Sequence, residues 1–198
     1  FGHQISAAGI ETNRGCPFAC TFCDWGQATR TKVRELPLER VRAELDWVAA
    51  RGISYLYLVD ANFGIRPRDV DIARYIGSLK RTRGYPNYCM FHLTKNAHMR
   101  NLENVTVLRD AGVECQVALS MQDFDARVLK AVKRKNISLD ESLALRHACN
   151  ARGIPTYNEL LLGLPERVVM CLRKLALRRS QRAGVVAKPN PKDLREGV

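Results

Sequence analysis

Three cysteines, Cys16, Cys20 and Cys23, stand at Cys-x3-Cys-x2-Cys spacing within one short stretch, Glu11 to Gly26. Thiolates this close in the chain can converge on one metal centre, because a looping backbone turns several sulfurs to the same side. A closed tetrahedral zinc site, or an iron–sulfur cluster saturated by protein, takes four protein ligands. Three leave one metal position open, the arrangement by which catalytic metals keep an exchangeable ligand. The competing reading is a zinc site completed by a distant His or Cys. No second Cys-x2-Cys or His-x3-His pair follows at finger spacing to support it. Cys89, Cys115, Cys149 and Cys171 are scattered and read as core packing.

Alternating elements must position that loop. Residues 5–12 read as a first strand that runs into it. Leu38, Val41, Leu45 and Val48 recur near helical spacing up to Arg51, and Gly52 marks a helix end. Ile53 to Val59 is β-branched, aromatic and almost wholly apolar, as in a strand buried on both faces. Arg68–Lys80 is amphipathic, Tyr88–Thr94 is a third strand, and residues 99–111 form the next helix. Val113–Ser120 is a fourth strand, Asp125–Arg134 and Leu139–Arg152 are two helical pieces, and Ile154–Leu162 is a fifth strand closed by Gly163. Five strands separated by helices imply right-handed parallel crossovers, hence a doubly wound sheet or a full or partial β/α barrel. Both architectures collect functional groups at the C-terminal ends of the strands, where the cysteine loop lies.

Composition narrows the function. The chain has 198 residues, 46% hydrophobic and 26% charged, ordinary for a soluble globular domain. It has no apolar run of the roughly 18–20 residues that span a bilayer. Seven cysteines without a disulfide framework fit the reducing cytoplasm. A net charge of +12 raises nucleic acid as a partner. Half of that charge lies in residues 166–198, with nine Lys/Arg against three Asp/Glu, and the rest is interspersed with acids. This distribution points to a basic surface rather than a nucleic-acid site.

The cysteine spacing, with aromatic Phe22 before the last cysteine, resembles the signature of the radical S-adenosylmethionine (SAM) superfamily. Cys23-Asp24-Trp25-Gly26, Asn62-Phe63-Gly64-Ile65, Thr94-Lys95-Asn96, Lys133-Arg134-Lys135-Asn136-Ile137-Ser138 and Gly163-Leu164-Pro165 resemble the branch that often carries a cobalamin-binding domain. The resemblance implies an open-sided partial (β/α) barrel over residues 1–165. It also implies that Cys16, Cys20 and Cys23 hold a [4Fe–4S] cluster whose fourth iron is chelated by SAM. Asp60 and Asn62 would meet the SAM amino group, and Ser120 and Gln122 its ribose and carboxylate. Gly163 and Phe22 would lie against the adenine. Residue by residue, an Asp and Asn before a helix are also ordinary turn residues, Lys95 is undecided, and His92 reads as a hydrogen-bonded core residue.

An electron from the cluster would cleave SAM to methionine and a 5′-deoxyadenosyl radical, or serve methyl transfer if cobalamin takes part. A flavodoxin- or ferredoxin-like electron donor is expected, with a small-molecule or peptide substrate. No general acid–base pair is identified, because the cofactor carries the chemistry. After Pro165 the family's Gly-Glu-Thr continuation is absent and no sixth strand is legible, as if the barrel were truncated or frame-shifted after its fifth strand. Residues 166–198 read as a divergent basic tail, helical to about Arg182 and disordered around residues 187–192. Two other classes of function stand beside the enzyme: a metal-binding structural module and a basic nucleic-acid-binding protein.

Overall fold

The computed structural model describes residues 5–25, 32–95, 98–166 and 185–188. In chain order the elements are β1 (Ala7–Ile10), β2 (Asn13–Arg14), β3 (Arg34–Glu35), α1 (Leu38–Ala50), β4 (Tyr55–Phe63), α2 (Asp69–Arg83) and β5 (Tyr88–Leu93). They continue with α3 (His98–Asp110), β6 (Val117–Gln122), α4 (Ala126–Ala131), α5 (Leu139–Asn150), β7 (Thr156–Leu161) and β8 (Val185–Lys188). One sheet has the order β1-β4-β5 and a second β6-β7-β8, every pair parallel. A parallel bridge between Tyr88 and Glu114 joins them. The fold is α/β, as the strand–helix alternation predicts.

Local chemistry sets the helix ends. Ser138 and Glu141 form a reciprocal capping box at the start of α5. Gly84 takes a left-handed φ of 82° after α2 and donates to the Lys80 carbonyl, a conformation a side chain would penalise. The main core packs Val41, Leu45, Ile72, Ile76, Val105 and Leu108 of the helices onto Leu56, Leu58 and Val117 of the strands. The longest strand alternates from Tyr55 to Asn62, with Leu56, Leu58, Asp60 and Asn62 buried, and ends on the buried Phe63.

Three expectations are corrected. The second long strand runs through Asp60 and Asn62 to Phe63, so these two are strand residues and not turn residues. The fourth begins at Val117, because Glu114 contributes only an isolated bridge. The strands also do not stop at the fifth. Val185–Lys188 pairs with β7 from Asn158↔Val185 to Leu161↔Lys188, covering an edge that would otherwise present unpaired backbone groups. Its β-branched run is only Val185-Val186, too short to stand out as a pattern. Ala187 and Lys188 are therefore extended strand, whereas the expected helix up to Arg182 lies outside the described residues. No helix of the described residues is long and apolar enough to cross a membrane.

Candidate functional site

The loop bearing the cysteines begins at a buried carboxylate. Asp60 accepts from the Thr12 amide at 2.7 Å, the Asn13 amide at 3.1 Å and Asn13 Nδ2 at 2.9 Å, and also from the Thr12 hydroxyl. Asp60, Thr12 and Asn13 are all buried. Thr12 is held from the other side as well, its carbonyl accepting from Leu36 N at 3.0 Å and Arg68 Nη2 at 2.7 Å. Burial pushes the Asp60 carboxyl above its ordinary range, and the bonds from Thr12 and Asn13 oppose that rise. Asp60 therefore positions the entry to the loop. Asp60 shares the buried strand parity of Leu56, Leu58 and Asn62.

The cleft opens at the C-terminal ends of the strands and has a volume of about 200 Å³. Cys16, Cys20 and Cys23 line it together with Phe22, Asn62, Ser120 and Gln122. Seven of the nine residues singled out from sequence thus meet in one place, although the chain separates them by as many as 106 positions (16 to 122). Irregular pairing helps deliver two of them. Strand β4 advances from Leu58 to Phe63 while β5 advances only from Phe91 to Leu93, and β6 slips similarly between Leu119 and Gln122. Such bulges bend a strand end and re-aim its side chains. Gln122 adds a left-handed φ of 61°, a conformation non-glycine residues hold only when their surroundings enforce it. Asn62 Nδ2 is buried with no protein partner among the described residues. Ser120 donates to Glu159 Oε2 at 2.8 Å.

Gly163 does not line this cleft. It is exposed with φ of 75°, and its turn carries Leu164 into a small cluster with Val128 and Val132, against which Phe22 packs. Phe22 thereby seats the cysteine loop on α4 and the turn after it, and Thr21 N donates to the Val132 carbonyl at 3.0 Å. His92 is hydrogen-bonded as expected, 2.8 Å from the Tyr57 hydroxyl, but it also lines the cleft.

Sequence reasoning left two cations without a definite role. Lys95 Nζ lies 3.6 Å from Cys20 Sγ and 4.2 Å from the centre of the Phe18 ring. Arg134 Nη1 lies 4.0 Å from the same sulfur. Burial lowers the pKa of both, Cys20 raises both, and Arg134 lowers Lys95 further. Arg134 stands 114 positions from Cys20, and no local pattern could have paired them. Among the three cysteines only Cys20 is buried. The other described cysteines behave as core: burial pushes the Cys89 and Cys149 thiols up and takes Cys115 to about 12, leaving them inert.

This donor set fits an iron–sulfur cluster. Three free thiols face one cleft, two cations suit the negative charge of several thiolates, and one iron position remains for an exchangeable ligand. No three His, Cys, Asp or Glu of the described residues gather tightly enough for a single ion. A cluster does not ask this of them, since it takes each thiolate on a separate iron.

Comparison with known proteins agrees. The sequence profile of the Radical SAM superfamily matches residues 10–168. The cobalamin-dependent radical SAM methyltransferase TokK of Streptomyces tokunonensis is 40% identical over 163 residues, 82% of this chain and 24% of that protein. The 2-(S-pantetheinyl)-carbapenam-3-carboxylate methyltransferase of Streptantibioticus cattleyicolor is 42% identical over 155 residues, 78% of this chain and 23% of its own. The chain thus spans about a quarter of the length of these curated relatives. Among solved structures, the radical SAM methyltransferase TsrM of Kitasatospora setae superposes with a TM-score of 0.77 at 19% identity, covering 94% of this chain and 36% of its own. Cysteine spacing, strand-end cleft and profile coincide on the same residues, and the chain belongs to the radical SAM superfamily.

Proposed function

We propose that this chain is the cluster- and SAM-binding core of a cytoplasmic, cobalamin-dependent radical SAM methyltransferase, built as an open-sided partial (β/α) barrel. The observation that carries this is the convergence of Cys16, Cys20 and Cys23 with Asn62, Ser120 and Gln122 on one cleft at the strand ends. The two methyltransferase relatives at 40% and 42% identity support the reaction class, and six unpaired cysteines among the described residues support a reducing compartment. Residues 1–165 form the core in this reading, and residues 166–198 extend it.

When bound, the cluster and SAM supply one-electron reduction of a sulfonium and the methyl or radical chemistry that follows. The chain's own residues bind and orient. The three cysteines hold the cluster, and Asn62 offers an amide to the methionyl part of SAM. Ser120 and Gln122 offer a hydroxyl and an amide to its polar groups, and Phe22 an apolar wall. A flavodoxin- or ferredoxin-like donor delivers the electron, and the acceptor is a small molecule or peptide.

The experiment is anaerobic incubation of the reconstituted chain with SAM, cobalamin and reductant. Formation of S-adenosylhomocysteine or 5′-deoxyadenosine, lost in Cys20→Ala, is expected. SAM that is neither bound nor consumed would refute the reading. Asn62→Ala and Gln122→Ala should each weaken SAM binding about tenfold, as for one lost hydrogen bond of about 1.4 kcal/mol, with iron content unchanged.

A further inference from the structure

Arg134, which lines the cleft, is held on every arm of its guanidinium. Its Nε donates to Asn136 Oδ1 at 2.7 Å, its Nη2 donates to the Ser120 carbonyl, and its Nη1 faces Cys20 Sγ at 4.0 Å. Asn136 is fixed in turn by the carbonyls of Met121 at 2.6 Å and Asp123 at 3.1 Å. The guanidinium therefore ties the end of β6 to the middle cysteine of the loop. The backbone is bent to deliver it. Lys133, immediately before, takes a left-handed φ of 52°, and Arg134 N closes the turn on the Leu129 carbonyl at 2.8 Å. A lysine in that conformation persists only where its surroundings over-determine it. The carbonyl and amide oxygens that hold Arg134 are neutral, although Glu159 acts on it through space. Among charged neighbours Cys20 acts on it most strongly, ahead of Cys23 and Glu159.

We propose that Arg134 is a positioning residue for the cluster. It fixes the Cys20 thiolate against the end of β6 and sets the cluster's reduction potential by placing a fixed positive charge beside one corner. The proposal rests on the cluster reading above and deepens it. A cation next to a cluster favours the added electron, because the reduced state carries one more negative charge. Hydrogen bonds to cluster sulfurs and nearby charge are established levers on such potentials, and outer partners of metal ligands typically alter metal affinity 10- to 100-fold.

The test uses the full chain reconstituted with iron and sulfide, with no SAM added. Two quantities are read: the rate at which a chelator removes iron, and the midpoint potential from a spectroscopic redox titration. Arg134→Gln should lose iron about tenfold faster or more, and its midpoint should move to a more negative potential. Arg134→Lys, which keeps the charge and loses the fork, should recover the potential and not the iron retention. Lys133→Gly, which relaxes the turn and spares the guanidinium, should match the wild type in both. Arg134→Gln with wild-type retention and midpoint would overturn the proposal, as would Lys133→Gly shifting both as far as Arg134→Gln. A wild-type chain that takes up no four-iron cluster would overturn this proposal and the functional reading together. A wild-type chain with the cluster beside an indifferent Arg134→Gln would overturn this proposal alone.

Discussion

Asp60 offers the sharpest test of how the fold delivers the cysteines. Replacing it with alanine removes the acceptor of four donors: two backbone amides, the Thr12 hydroxyl and Asn13 Nδ2. Each buried donor left unpaired costs about 1–3 kcal/mol, and the simple sum of roughly 4–12 kcal/mol overstates the effect because neighbours couple. Removing the carboxylate also relieves the burial that raises its pKa. Loss of one partner from a buried charged network typically costs about 3–5 kcal/mol, and Asp60→Ala is expected in that range. Asp60→Asn should be much milder, about 1–2 kcal/mol. One amide oxygen still meets both backbone N–H groups, and the unpartnered Asn13 Oδ1 can turn to accept from the new amide. Denaturant unfolding gives the stability change, and hydrogen exchange locates it. Protection of the Thr12 and Asn13 amides should fall at least a hundredfold in Asp60→Ala, since about 3 kcal/mol is roughly two decades. Wild-type protection at both amides would refute the account of the loop's anchor.

Two further predictions concern the polar ground behind the cleft. Burial raises the Asp69 carboxyl from 3.8 to about 6, so between those values the folded chain holds a proton that the unfolded chain has released. The contribution of Asp69 to stability should therefore be full below about pH 4 and be lost as pH rises through about 6, by up to ~3 kcal/mol. Asp69→Asn should flatten that slope in thermal unfolding, and an unchanged slope would contradict the assignment. Gly64 sits at φ of 87°, and a Cβ there would lie 2.4 Å from Asn101 Oδ1 and 3.0 Å from Asn104 Nδ2. Strain and overpacking together predict that Gly64→Ala costs about 2–4 kcal/mol, measured by the same unfolding curves. A loss under about 0.5 kcal/mol would show that the neighbouring amides yield.

Much of this architecture is legible in the sequence, because parallel strands and amphipathic helices carry strong periodicity. Leu38 to Ala50 and Tyr88 to Leu93 are placed almost to the residue. The misreadings share a cause: a local pattern does not reveal long-range partners. Asp60 looks like a turn residue because Asp is common in turns, yet it lies within a strand and its partners Thr12 and Asn13 are 47–48 positions away. Gly163 takes a φ of 75° at the turn that sets Leu164 behind Phe22, a contact that its own residue type does not announce. Val185–Lys188 is a strand because β7 has an edge to cover, a fact absent from its own four residues. Arg134 reaches Cys20 through the tertiary fold alone. The cysteines were the exception, since three thiols at short spacing carry their own geometry.

The central claim is that these three thiolates hold a [4Fe–4S] cluster with one iron open to SAM. The direct measurement is the electron paramagnetic resonance spectrum of the anaerobically reconstituted and reduced chain, recorded with and without SAM alongside metal analysis. About four irons per chain and a signal that shifts when SAM is added are predicted, both abolished in a Cys16/Cys20/Cys23 triple alanine variant. One zinc per chain, or a cluster signal indifferent to SAM, would contradict the account.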